Sequence, residues 1–400
     1  MVCKNLFRKA AHVSRGLVSL PVLALALSTG AQAHEDGFSV SGGGLPPVHA
    51  DHHGPIGVMG DHMHKHGQWM LSYRYMDMHM KGMKKGTHNV SSDEVAQTVN
   101  PLAGEPMRMG TLPNGNPRIM NVPGTYRIAP LSMDMQMHMF GLMYGLSDDV
   151  TLMGMVNYKI NSMDLLTYRG PAGVNQVGKF TGRSEGFGDT KLTAMIRLYD
   201  DRFNHWQFNA GMSIPTGSIT KKGSVLPPFA GMMGTQPNER VSIDRLAYPM
   251  QLGSGTFDAL PGLTYTGHSG ALSWGAQLSG VIRLHDNAEG YRLGNRIEGT
   301  GWLAYEWAPA ISTSLRLSGK SEGRIRGRDK VITGGMPLFV AENSGRDELD
   351  LHLGFNMVGQ EGALRGHRLA FEVGVPLYER VNGLQMSNDW SFTLGWQKAF

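Results

Sequence analysis

One cysteine, Cys3, is all the chain has, so no structural disulfide and no cysteine-based zinc site can form within it. Charged residues are scarce, 18% against a usual ~25%. Past residue 28 no apolar run approaches the ~20 residues of a membrane helix. That absence excludes a helical membrane protein. No catalytic triad, dyad, Gly-x-Ser-x-Gly elbow or His-Glu-x-x-His grouping is read, so an enzyme is not expected. A strongly basic surface is lacking too. The net charge of +4 comes from Lys4, Arg8, Lys9 and Arg15 near the start. Without those four, 33 Lys and Arg balance 33 Asp and Glu, so a nucleic-acid partner is excluded. The same four residues, the apolar stretch from Gly16 to Ser28 and the small-residue step Ala31-Gln32-Ala33 make a secretory signal peptide over 1–33.

What the chain has instead is glycine, 54 of 400 residues and nearly twice the usual ~7%, together with alternation of period two. Trp390, Phe392, Leu394 and Trp396 share one side of a strand whose other side is Ser391, Thr393, Gly395 and Gln397. Eleven more such segments precede it, near 68–80, 132–146, 150–162, 187–199, 204–215, 255–266, 271–285, 295–307, 311–324, 347–358 and 367–377. Each is about the ~9–11 residues that cross a bilayer as a tilted strand. The connections alternate between long and short. The expected fold is therefore all-β: a transmembrane antiparallel barrel of about twelve strands over 68–400, with long external loops and short periplasmic turns. A soluble β-sandwich also alternates; the leader, the interfacial Trp and Tyr, the glycine and the loop rhythm favour the barrel. The last strand ends on Phe400, as does the assembly signal of Gram-negative outer-membrane barrels. The expected location is the outer membrane, with its lipid and the barrel-assembly machinery as partners.

An Arg facing lipid at mid-bilayer costs about 2–4 kcal/mol. Arg74 therefore faces the lumen, and Met76, Met78 and Met80 share its side. On the next strand Met133, Met135, Met137 and Met139 face inward, leaving Phe140, Leu142 and Tyr144 for lipid. Placing Tyr75 beside Phe140 pairs Met76 with Met139, Met78 with Met137, and Met80 with Met135, a methionine ladder inside the outer mouth. Met153 and Met155 extend it. Lys191, Arg197, Glu298, Arg316 and Lys320 are further expected pore-lining residues. Thioethers suit Cu(I) or Ag(I), and they also make adaptable apolar walls for aromatic molecules or simply pack a constriction.

Residues 34–67 read as a flexible, His-rich periplasmic segment. His49, His52, His53, His62, His64 and His66 are interleaved with Asp51 and Asp61, and short His-rich tracts bind divalent metals. A solvated tail, or one folded into the lumen, is the plainer alternative.

Several stretches resemble the MetA-pathway phenol-degradation family of Gram-negative outer-membrane barrels. They are Gly57-Val-Met-Gly-Asp-His-Met63, Trp69 to Met76, Gly186-Phe-Gly-Asp189, Pro215-Thr-Gly-Ser218, Pro249 to Gly255, Trp274 to Ala276 and Trp396. The resemblance implies a channel or transporter and supplies no residue-level site. Three functional readings result. The leading one is an outer-membrane channel for a small solute linked to copper or silver handling, with the methionines as relay and the histidines as capture; no cofactor is required. The second is a channel for small aromatic or apolar compounds. The third is a metal-sequestering protein anchored by its barrel.

Overall fold

The computed structural model describes residues 49–50, 53–232 and 234–400. Twelve long strands form the wall. They are β1 (Trp69–Gly86), β2 (Ile128–Ser147), β3 (Val150–Tyr168), β4 (Gln176–Phe187), β5 (Thr190–Asp200), β6 (Asn204–Ile214), β7 (Asp258–Ser269), β8 (Leu272–Arg283), β9 (Arg296–Ala308), β10 (Ile311–Glu322), β11 (Arg346–Val358) and β12 (His367–Ala399). Neighbours along the chain pair antiparallel, except that β4 and β5 both pair with β3, and β12 pairs with β1 to close the ring.

The number of crossings follows from parity. A ring in which every neighbour is antiparallel needs an even number of passes. β4 and β5 both pair with β3, β4 along residues 158–168 and β5 along 150–155, so together they make one pass. The 33-residue β12 makes two: residues 368–381 pair with β11, and 384–399 pair with β1. The reversal falls at Asn382-Gly383, where Gly383 has φ 68, and Asn-Gly is the dipeptide favoured in tight hairpin turns. Twelve passes result, and each overlaps one of the twelve segments expected from alternation.

The strands run further outward than expected. β1 reaches Gly86, β3 reaches Tyr168, and most of the expected loop over 163–186 is strand. Beyond the lipid, alternation no longer has to match an apolar band, so the sequence signal fades while the ladder continues.

Facing is set by parity within each strand. Trp69, Leu71, Phe140, Leu142, Leu152, Leu192, Leu278, Leu303, Leu315, Leu353, Phe371 and Val373 are exposed on the outside, while Met70, Arg74, Met139, Met143 and Met195 are buried inside. Aromatic pairs ring the end that carries the short turns: Trp69 with Tyr144 (centroids 4.3 Å apart), Trp206 with Tyr265 (4.8 Å) and Tyr305 with Trp307 (4.8 Å). Such rings sit well at a membrane interface. Asp77 and His79 point outward beyond the apolar band and are not left bare; Tyr75 donates to Asp77 at 3.4 Å and His79 meets Asp134 at 2.6 Å.

At the other end the long loops build a core of their own. Val95, Leu102, Met107, Val122, Phe229, Tyr248, Leu338 and Phe339 pack with Met80, Met83, Met133, Met163 and Met386 from the strand tops. Arg127, fully buried, donates to the carbonyls of Tyr126 and Gly173, both at 2.8 Å, and so staples this cap from within.

Candidate functional site: a capped chamber above a plug

The β1–β2 register pairs Met76 with Met137, Met78 with Met135, and Met80 with Met133. The expected ladder is present, but its pairs are displaced by two residues. A two-residue slip keeps every side chain on its face, so facing patterns alone cannot resolve it. Met78, Met80, Met133, Met135 and Met137 form one side of a chamber of about 450 Å³ beneath the cap.

The rest of the wall is mixed, with Asp189, Asp258 and Glu322 among six basic side chains. Lys159, Lys191, Arg283, Arg296, Lys320 and Arg346 all border it. Some are neutralised: Arg346 bonds Glu348 at 2.9 Å and Glu379 at 3.2 Å, Lys320 pairs with Glu348, and Arg283 with Asp258. Lys159 donates to the Leu252 carbonyl at 2.8 Å. Lys191 and Arg296 have no carboxylate partner among the described residues. Asp189 also borders the space, but its oxygens are taken up elsewhere. They accept from the Gly217 amide (3.0 Å), the Ser254 amide (2.8 Å) and the Ser254 hydroxyl (2.8 Å). The segments Gly186 to Asp189, Pro215 to Ser218 and Pro249 to Gly255, scattered in sequence, thus meet in one knot. It ties the 216–254 loop to the break between β4 and β5.

Toward the short turns the lumen is filled by the chain itself. The reading of 34–67 as a flexible periplasmic segment is corrected for its described part, because residues 53–67 thread the barrel. Gln277 donates to the Met59 carbonyl at 2.9 Å and Gln207 to the Gly60 carbonyl at 2.6 Å. Arg368 donates to the Gly54 carbonyl at 2.6 Å, and the His64 amide donates to Thr151 at 2.9 Å. Ile56 and Val58 are buried. A segment with this many polar side chains stays inside because the lumen wall offers them partners and bulk solvent is excluded. A Cβ at residue 57 would lie 2.6 Å from Arg316 Nη2 and closer still to Glu372 Oε1, so any larger residue there makes those two side-chain ends move. Those two side chains pair beneath it, Arg316 Nε donating to Glu372 at 3.1 Å.

The expected metal residues separate into groups. His53, His62 and His64 lie together in the plug, with ring centroids 4.4 Å (53 to 62) and 5.0 Å (62 to 64) apart. Burial lowers the His64 imidazole to about 4, which keeps it neutral. Burial alone would raise the Asp61 carboxyl, but His62, His53 and Arg368 hold it well below its ordinary range. His49 sits apart on Glu306 at 3.0 Å, and His66 bonds the Leu146 carbonyl at 2.8 Å on the first short turn. His52 lies outside the described residues, as do residues 34–48. Met139, Met153 and Met155 lie beside the plug rather than in the chamber, while Met76 continues the ladder of β1.

Of the expected pore-lining residues, Lys191 and Lys320 border the chamber, and Glu298 lies across from Lys320 in the β9–β10 register. Arg74 and Arg316 border the plug. Arg197 is on the inward side of β5 at its turn end, donating to the Asp148 carbonyl at 3.0 Å and pairing with Asp149 and Asp200. The chain does contain Gly-x-Ser-x-Gly spacing twice, at 182–186 and 319–323, although no such elbow is expected from the sequence. Neither is a nucleophile elbow, which needs a strand-to-helix turn. Ser184 lies in β4 and donates to the Met250 carbonyl at 2.7 Å, and Ser321 lies in β10 and donates to Asp347 at 2.7 Å. Trp302 was also missed. It turns into the lumen and packs over Gly275 and near Gly54, a place that those glycines mark only once the chain is folded.

A closed antiparallel barrel with an apolar outer belt, aromatic ring, polar lumen and capped loop end defines an outer-membrane-type β-barrel. Among solved structures it is similar to the COG4313 outer membrane channel from Pseudomonas putida F1, with 13% identity and a TM-score of 0.51 over 86% of this chain and 99% of that one. Lesser similarity extends to the transport unit of the autotransporter AIDA-I from Escherichia coli (11%, TM-score 0.42, 86% and 93%) and to a Pseudomonas aeruginosa FadL homologue (10%, 0.40, 88% and 98%). No protein-family profile and no curated protein matches the chain.

Proposed function

We propose that this protein is an outer-membrane channel for small solutes that carry negative charge on an apolar, aromatic-sized body. The observation that carries the reading is the two-sided chamber. Thioethers offer a soft, adaptable surface with favourable sulfur–aromatic contacts, and the facing Lys and Arg side chains attract an anion. A chamber of about 450 Å³ falls in the ~300–1,000 Å³ range of small-molecule sites. The described chamber lining contains no histidine, so it favours the aromatic reading over a methionine–histidine metal route. The likeness to a structure described as an outer membrane channel agrees with passage as the activity.

Entry from outside is governed by the cap, and exit by the plug. Planar-bilayer recordings with benzoate, toluene and glucose as competitors test the proposal. Benzoate is expected to bind and reduce current most, and Lys191→Glu to weaken its block at least tenfold. Equal block by all three solutes, insensitive to Lys191→Glu, would overturn the reading.

A further inference from the structure

The plug carries a side-chain cluster that solute passage does not use. His53, Asp61 and His62 each present a donor atom, and the three lie within 4.8 Å of one another. His53 Nδ1 lies 3.4 Å from His62 Nδ1, and that same His62 nitrogen lies 3.0 Å from Asp61 Oδ1. An uncharged imidazole nitrogen offers one hydrogen or one lone pair. If His62 Nδ1 donates to Asp61, its approach to His53 is at best a weak shared bond. If it accepts from His53, its lone pair faces a carboxylate. A single cation relieves this conflict, because all three atoms then give lone pairs to one centre.

The spacing suits such a centre. Nitrogen ligands at about 2.0–2.1 Å in a tetrahedral site stand roughly 3.3 Å from one another. The second oxygen of Asp61 accepts the Gly54 amide at 2.7 Å, the kind of outer bond that orients a ligating carboxylate. His64 supplies an independent sign. It is 6% exposed, its ring lies 5.0 Å from that of His62, and its Nε2 is buried without a hydrogen-bond partner, as is His62 Nε2. Asp61 and His62 also border a void of about 20 Å³, room for one water-sized particle.

The charges nearby narrow the choice of ion. Arg368 and Arg74 both act on Asp61. They offset its charge, so a hard ion such as Ca²⁺ or Mg²⁺ gains little. Imidazole donors select Zn²⁺, Cu²⁺ or Ni²⁺.

We propose that the plug holds one borderline divalent transition-metal ion on His53, Asp61 and His62, with His64 beside it. The ion would clip residue 53 to residues 61 and 62 and so close the plug into a loop. The inference does not depend on which solute the chamber takes.

The test uses the full mature chain in detergent, stripped with EDTA and titrated with Cu²⁺ and Zn²⁺. One equivalent is expected to bind, with a Cu²⁺ electron paramagnetic resonance signal showing coupling to two imidazole nitrogens. His53→Ala and His62→Ala should each weaken binding at least tenfold, and His66→Ala, on the exposed turn, should leave it unchanged. Heat-dependent migration on gels confirms that each variant keeps its barrel. The wild-type spectrum needs no variant: absence of a stoichiometric ion, or of imidazole coupling, overturns the proposal. Equal binding by the His53→Ala/His62→Ala double variant also overturns it, since the metal would then rest on other histidines.

Discussion

Gly57→Val sets the plug against the barrel wall. The new Cβ would fall 2.6 Å from Arg316 Nη2 and against Glu372 Oε1, with two methyl groups beyond it. Keeping the plug in place then makes the Arg316 and Glu372 side-chain ends shift, and overpacking of this kind costs about 1–3 kcal/mol. Withdrawing the plug instead exposes Ile56 and Val58, now 1% and 2% exposed, at about 1.5–3 kcal/mol each. The overpacking falls on the seated state alone, so the substitution shifts the population toward the withdrawn state. A penalty of about 1–3 kcal/mol lowers the seated-to-withdrawn ratio about 5- to 140-fold, at roughly tenfold per 1.4 kcal/mol. Single-channel conductance should rise toward that of a chain lacking residues 53–66. Cys3 is the one cysteine of the chain, so in a Cys3→Ser background a Val58→Cys reporter would be the only thiol. Maleimide should label it slowly in the parent and quickly beside Gly57→Val. If conductance, labelling and heat stability all stay at parental values, residue 57 is not wedged in the wall and the plug assignment fails.

Two further substitutions probe other parts of the structure. Asp189→Ala removes the acceptor of three hydrogen bonds, each worth about 1.5–3 kcal/mol when the acceptor is charged. The 216–254 loop should become cleavable by protease while the barrel's circular dichroism is unchanged, and a loop as resistant as the parent's would contradict the knot. Leu353→Arg places a charge on the outer face, where Leu353 is 63% exposed, and should cost about 2–4 kcal/mol of folding free energy in bilayers. Folding equilibria in lipid vesicles measure it, and a neutral result would deny that this face meets hydrocarbon.

The wall was legible because each residue of a membrane strand answers to only one of two environments. An Arg such as Arg74 cannot face lipid cheaply, so its parity fixes that of Met76, Met78 and Met80, and all twelve passes could be read in the same way. The plug was not legible. His53, Asp61, His62 and His64 have no periodicity, and a string of His, Gly and Pro reads as a solvated tail until a cavity with matching donors is beside it. The same holds for Asp189, whose motif has the composition of an ordinary turn. Its partners Gly217 and Ser254 lie 28 and 65 residues away.

By itself, then, the amino-acid order determined the strand count, the faces and the lipid-facing belt, since alternation is a local property enforced by the hydrocarbon on every strand. Only the tertiary structure decided the two-residue step in the β1–β2 ladder, the closure of the loops into a cap, the mixed charged wall opposite the methionines, and the seating of residues 53–67 in the lumen. Those features depend on which side chains meet across the barrel, and such meetings are set by long-range pairing that no local pattern encodes.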